Sequence, residues 1–163
     1  MQLNYGYATP AGIAGGLKDL SPYAIDTRNN VEATGVLLYG TGVVQGANSG
    51  NDINLPTTAS TVAEFEGVAM NGFTTQHSLE GSIGVPENMP VGILGYGKAW
   101  VRVGEDANVS YGEDVYLITD GEEAGFFTTS ADAVTKFKIK ATWIGAKSGD
   151  IAPIELFNQK QEA

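Results

Sequence analysis

Hydrophobic and polar positions alternate along most of this chain. Phe137, Ile139, Ala141 and Trp143 fall on one parity and Lys136, Lys138 and Lys140 on the other, the pattern of a strand with one buried face. Ala99, Val101 and Val103 alternate in the same way with Lys98, Trp100 and Arg102. The Trp143 parity points inward, and the Trp100 parity leaves that indole partly exposed. Val36 to Val44 is an apolar run broken by Gly40 and Gly42, so a bend or bulge is expected there. Val62 to Met70 reads as a strand with Glu64 and Glu66 on one face. Val91 to Leu94 leads through a Gly95-Tyr96-Gly97 hairpin turn into Lys98 to Val103. Val115 to Ile118, Gly125 to Thr128 and Ile151 to Phe157 complete the set, and a helical turn is expected near Ala131 to Val134.

Glycine and proline set the scale of these elements. The chain has 22 Gly and 6 Pro in 163 residues, and a mean helix needs about 11 uninterrupted positions. Internal stretches of ten or more residues free of both are confined to Tyr23–Thr34, Thr57–Glu66 and Phe126–Ile144. Many short strands separated by turn signals make an all-β fold, a small β-barrel or a jelly-roll-like body. Residues 1–30 show no clear period. They read as an extended N-terminal arm attached to a body over residues 31–163. Tyr5, Tyr7, Ile13 and Leu17 would be wasted in a linker, so the arm is expected to pack on a neighbour and to add little to the barrel.

Charge and composition narrow the chemistry. Nine basic residues stand against 19 acidic ones, a net charge of −10, which disfavours nucleic acid or an anionic membrane as partner. The N-terminus lacks the basic and apolar regions of a secretion signal, and no stretch approaches the roughly 20 apolar residues of a membrane span. With no Cys and one His, thiol catalysis, disulfide scaffolds and zinc ribbons are excluded. Gly40 to Gly46 lacks the spacing and the following helix of a dinucleotide site. His77 reads as a solvated residue in a polar loop, and Glu64 and Glu66 as surface acids. The acidic run Glu105 to Glu123 lacks the spacing of a calcium loop. The residues therefore suggest no enzyme, no metal and no cofactor. Lys136, Lys138 and Lys140 form the one basic cluster, either a lysine-blunted strand edge or an electrostatic contact with a partner.

Several short segments follow one another in a recognisable order. Pro10-Ala11-Gly12-Ile13-Ala14-Gly15 precedes Lys18-Asp19 and Ile25-Asp26-Thr27-Arg28. Tyr39-Gly40, Gly67-Val68-Ala69 and Val91-Gly92-Ile93-Leu94 come next, then Gly97-Lys98-Ala99-Trp100-Val101. Gly112 with Val115-Tyr116, Gly125-Phe126-Phe127 and Ser148-Gly149-Asp150 close the series. This order resembles the capsid cement, or head decoration, proteins of tailed bacteriophages. The resemblance implies a compact β body on the outer capsid surface, made in the host cytoplasm and carried in the virion. It also implies an arm that reaches neighbours, the major capsid protein as partner, and a homo-oligomer, with a trimer expected ahead of a dimer. The contact residues expected on this basis are Tyr5, Tyr7, Ile13, Leu17, Trp100, Lys136, Lys138 and Lys140. A rival reading is a carbohydrate-binding or host-recognition module that stacks sugars on Trp100, Trp143, Tyr96 or Tyr111.

Overall fold

The computed structural model describes residues 12–33, 36–72, 76–77, 83–132 and 135–159. Twelve strands make up nearly all of the regular structure. They are β1 (Ala24–Asn30), β2 (Leu37–Leu38), β3 (Gly42–Gln45), β4 (Asp52–Asn54), β5 (Phe65–Ala69) and β6 (Gln76–His77). After them come β7 (Ile83–Val85), β8 (Pro90–Arg102), β9 (Asp114–Ile118), β10 (Phe127–Thr128), β11 (Lys136–Trp143) and β12 (Ile151–Leu156). Nine of these form one sheet in the order β1-β4-β3-β5-β8-β12-β11-β9-β10. Antiparallel pairing of β1 with β8 closes the first five into a barrel. Beyond β8 the sheet continues, and a parallel bridge from Val103 to Phe127 brings its far edge back toward the end of β8. The remaining three strands form a small sheet, β2-β7-β6. The chain is all-β with a closed barrel.

Two cores follow from this layout. The larger surrounds Trp143 and includes Phe65, Leu94, Val101, Leu117, Phe127, Ile139 and Leu156. The smaller gathers Leu37, Tyr39, Val43, Ile53, Val85 and Ile93. Burying each such side chain stabilises the fold by about 1.5–3 kcal/mol. The alternation in β11 and in the second half of β8 is realised: Ile139, Ala141, Trp143, Ala99 and Val101 are buried. Gly112 turns with φ 84°, after which Val115 enters the core and Tyr116 takes the opposite face.

Elsewhere the structure departs from the sequence expectations. Gly95 to Gly97 is no hairpin turn, because β8 runs unbroken through it. The pairing of β1 with β8 jumps from Leu94 to Tyr96, leaving Gly95 unopposed as a bulge. Gly97 takes φ 126° with Tyr23 packed over it, so the strand bends here instead of reversing. Glu64 and Glu66 do not share a strand face. The Glu64 carboxylate accepts the Thr61 N–H at 2.8 Å, capping a 3-10 turn at Val62–Glu64. Glu66 is buried in β5, 3.9 Å from the Arg28 guanidinium.

His77 lies in β6 and not in a loop. Ala131 and Asp132 have no regular structure, and the rest of the expected helical turn lies outside the described residues.

The N-terminal expectation also changes. Ala24–Asn30 is a strand of the barrel and not part of an aperiodic arm. Ahead of it, Gly15 N–H donates to Trp100 O at 2.8 Å, Trp100 N–H to Gly16 O at 2.9 Å and Lys18 N–H to Lys98 O at 3.0 Å. Residues 15–18 thus lie along β8 and contribute to the body.

Candidate functional site

Residues directly opposed across antiparallel strands share one face of the sheet. The register of β8 with β12 sets Trp100 beside Pro153 and Lys98 beside Glu155. Phe157 follows Leu156 and Tyr96 precedes its partner Gly97, so both rings lie at this end of the β8–β12 pair. Phe157 N–H donates to Lys140 O at 2.9 Å, so Lys140 lies beside Phe157. Lys138 follows on β11, opposite Tyr116 of β9. The outer face of β8, β12, β11 and β9 therefore carries an aromatic pair, Tyr96 and Phe157, 42% and 44% exposed, next to the lysine row.

β11 pairs with β9 at Lys136 to Lys138 and with β12 at Ala141 to Trp143. Among the described residues no strand flanks Lys136 and Lys138 on the β12 side, so the lysines border an edge there as well as a face. Lys138 Nζ donates to Asp114 Oδ2 at 2.6 Å. That bond holds the ammonium above its ordinary pKa. Lys136 Nζ reaches Ser130 Oγ at 3.1 Å, and Lys140 Nζ reaches the carbonyl of Gln159 at 3.3 Å. Lys138 and Lys140 are exposed, while Lys136 is half-buried.

One end of this face is covered by the chain itself. Gly12 lies on the Trp100 ring so closely that a Cβ there would stand 2.3 Å from the indole, which only glycine allows. Trp100 is consequently half-buried. Leu17 bridges Ala99 and packs on the large core of its own chain, whereas Ile13 is exposed. Asp19 holds this segment down. Its carboxylate accepts the side-chain and backbone donors of Ser21 and lies 3.5 Å from Lys98 Nζ. The Ser21 bonds, then the lysine, hold it below the usual aspartate range. Tyr5 and Tyr7 lie outside the described residues.

The other candidates are dispersed. Trp143 is fully buried and offers no stacking surface. Tyr111 projects from the turn before β9, 81% exposed. Within the acidic run, Glu123 accepts the Glu105 N–H at 2.7 Å, Glu113 accepts that of Ser110 at 3.3 Å, and Asp114 serves Lys138. Among the described residues no three His, Asp or Glu side chains are grouped to hold a metal ion. Sequence reasoning missed Phe157 and Tyr96 as a pair, because residues brought to one end of a sheet are not neighbours in the chain.

Comparison with known proteins gives a consistent result. No curated protein matches the sequence. Among solved structures, a chain of "The capsid of Myoviridae Phage XM1" superposes with a TM-score of 0.73 at 19% identity, covering 96% of each chain. The head fiber gp8.5 N base of bacteriophage phi29 gives a TM-score of 0.40 at 13% identity, over 87% of this chain and 100% of that one. The first of these shows the same fold. A family model described as "Structural cement protein (E217 gp24/Pam3 gp6)" matches residues 1–157. The chain accordingly belongs to the phage structural cement proteins, and its role is that of a structural, capsid-decorating component.

Proposed function

We propose that this cement protein binds the major capsid protein on the outer surface of the phage head, across a seam between neighbouring capsomers. The observation that carries the reading is the outer face of β8, β12 and β11. Uncharged aromatics there, Tyr96 and Phe157, adjoin Lys136, Lys138 and Lys140 in a chain whose net charge is −10. Aromatic anchors ringed by polar groups are typical of protein interfaces, and local basic charge in an acidic protein orients docking. Trp100, Ile13, Tyr5 and Tyr7 extend the contact. Leu17 is left out, being packed on its own core.

The work done is thermodynamic, not chemical. Binding to the closed shell and not to its separated parts adds the binding free energy to the cost of opening the seam. Repetition over the shell multiplies modest individual affinities. The protein self-associates, is made in the host cytoplasm and is carried in the virion. It turns over no substrate: glycosides, esters and nucleotides mixed with the purified protein react at background rates.

Capsids lacking the protein test this directly by co-sedimentation. The combined Lys136→Gln, Lys138→Gln, Lys140→Gln variant and Phe157→Ser should each bind at least tenfold more weakly, a loss of about 1.4 kcal/mol or more. The lysine variant should also lose much of the salt dependence. Saturation at wild-type concentrations by both variants would sink the assignment of this face.

A further inference from the structure

We infer that the free edge of β1 joins two copies of this chain, each adding its β1 to the other in antiparallel pairing about a twofold axis. The inference rests on the reading that the cement protein self-associates, and it names the surface.

The edge follows from the pairing pattern. β1 is bonded to β8 over Ala24–Asn29, but β4 joins its other side only at Asn29 and Asn30. The segment Tyr23–Arg28 thus overhangs β4, with no strand on that side among the described residues. Asn30 N–H donates toward β8, to Met89 O at 3.0 Å, and Asn29 N–H donates away from it, to Asn51 O at 2.7 Å. Backbone groups alternate sides along a strand, so Ile25 and Thr27 direct their N–H and C=O groups off the open edge. Among those groups the Thr27 carbonyl has a local contact, from the Arg28 guanidinium at 3.3 Å. Ala24 to Thr27 are all exposed.

Soluble proteins usually blunt such an edge with lysine, proline, a bulge or a covering loop. None of these protects Tyr23 to Thr27. The bulge lies on β8, at Gly95, and Pro22 falls before the overhang. Asp26, the one charge pointing the other way, is held by Arg28 at 3.4 Å. What the edge presents instead is apolar: Tyr23 is 48% exposed and Ile25 40% exposed. Tyr23 lies over Gly97 and Ile25 over Gly92, while Tyr96 is opposite Ala24.

A second copy fits this edge in one register. Setting Ile25 opposite Ile25 of the second copy puts Tyr23 opposite Thr27 and Ala24 opposite Asp26, and the outward N–H and C=O groups find partners. Shifting the axis to Asp26 would oppose two carboxylates, which is destabilising. Shifting it to Thr27 would drive the second copy into β4, which occupies the edge from Asn29. The uncharged strip also suits a chain of net charge −10, whose other surfaces repel their like. Such an isologous contact uses both edges and closes, leaving none for a filament.

The absence of cysteine from the sequence permits a clean test on the full chain. Residues directly opposed in a hydrogen-bonded antiparallel pair have Cα atoms about 5.5 Å apart. Two Thr27 residues, four positions out of step on neighbouring strands, would stand about 14 Å apart. Ile25→Cys should therefore be joined to a covalent dimer by a thiol cross-linker shorter than that separation, and Thr27→Cys should not. Ile25→Pro removes an outward N–H and leaves the bonds to β8 intact. Light scattering should give twice the chain mass for the wild type and a twofold lower mass for Ile25→Pro, with its cooperative melt retained. If Ile25→Pro does not fold, the cross-linking pair decides.

Equal oligomeric mass for wild type and a folded Ile25→Pro, or equal cross-linking at both cysteines, overturns the edge while self-association stands. A wild type that stays monomeric at micromolar concentration overturns both, and capsid binding is still measured separately by co-sedimentation. Cross-linking of Ile25→Cys to capsid protein in place of itself gives the edge to another occupant and also overturns the inference.

Discussion

Replacing Trp143 with Ala removes the largest fully buried side chain of the protein. An indole buries up to roughly 250 Å², which at about 25 cal/mol per Å² is about 6 kcal/mol before any offset. Two effects reduce the loss. Alanine keeps part of the burial, and the Trp143 Nε1–H is buried without a partner among the described residues, a burden of about 1–3 kcal/mol that the substitution lifts. The net expectation for Trp143→Ala is about 3–4 kcal/mol, inside the range observed for large aromatic truncations. For a domain of this length that lowers the melting temperature by about 10 °C. Trp143→Phe separates the two effects, because it restores most of the volume and discards the stranded donor. Its loss should be about 1 kcal/mol. Trp100→Ala, on the half-buried outer face under Gly12, should cost about 1–2 kcal/mol. Urea titrations followed by far-ultraviolet circular dichroism avoid reliance on tryptophan fluorescence. Equal losses for Trp143→Ala and Trp100→Ala would refute the placement of the two indoles. A Trp143→Phe loss as large as that of Trp143→Ala would refute the argument from the unpaired N–H.

Three further outcomes follow from the bonds along β8. Deleting Met1 to Leu17 removes the Gly15 and Gly16 contacts to Trp100, so the free protein should melt lower by about 4 °C or more; an unchanged melt would return that segment to the status of a detached arm. Gly97→Ala forces a side chain into φ 126° and against Tyr23, at a cost of about 1–3 kcal/mol, and a neutral result in a thermal melt would contradict the bulge geometry. Asp19 has its pKa lowered in the folded state, so its contribution is present above its unfolded pKa and lost as pH falls through the lower folded value. The protection factor of the Ser21 amide, its exchange rate relative to the unstructured chain at the same pH, should therefore fall on acidification below the ordinary aspartate range. A loss of protection confined to neutral or alkaline pH would reverse that sign.

Alternation reports one-sided burial, and wherever a strand has one wet face the sequence alone was sufficient. β11, β9 and the second half of β8 were legible for that reason, as were the all-β class, the inward Trp143 and the break at Gly40. β12, buried on both faces over Ile151 to Ile154, showed instead as a short apolar run. The family was legible too, from the order of many weak segments and not from any one of them. β1 was not, because its first four residues are exposed whichever way they point, so no period marks it. The Gly95-Tyr96-Gly97 run could equally reverse a chain or bulge a strand, and the pairing with β1 on the neighbouring edge chose the bulge. Glu64 and Glu66 looked alike in the sequence; a local cap took the first and Arg28, distant in the chain, took the second. The lysines of β11 were visible as a stripe, but only the pairing showed which neighbours they have, β9 beside Lys136 and Lys138 and β12 from Ala141 onward. Tyr96 and Phe157 came to one end of the sheet through the register of β8 with β12. Periodicity records whether a side chain is wet or dry; which strands lie beside it depends on contacts between residues far apart in the chain, and those exist only once the sheet has closed.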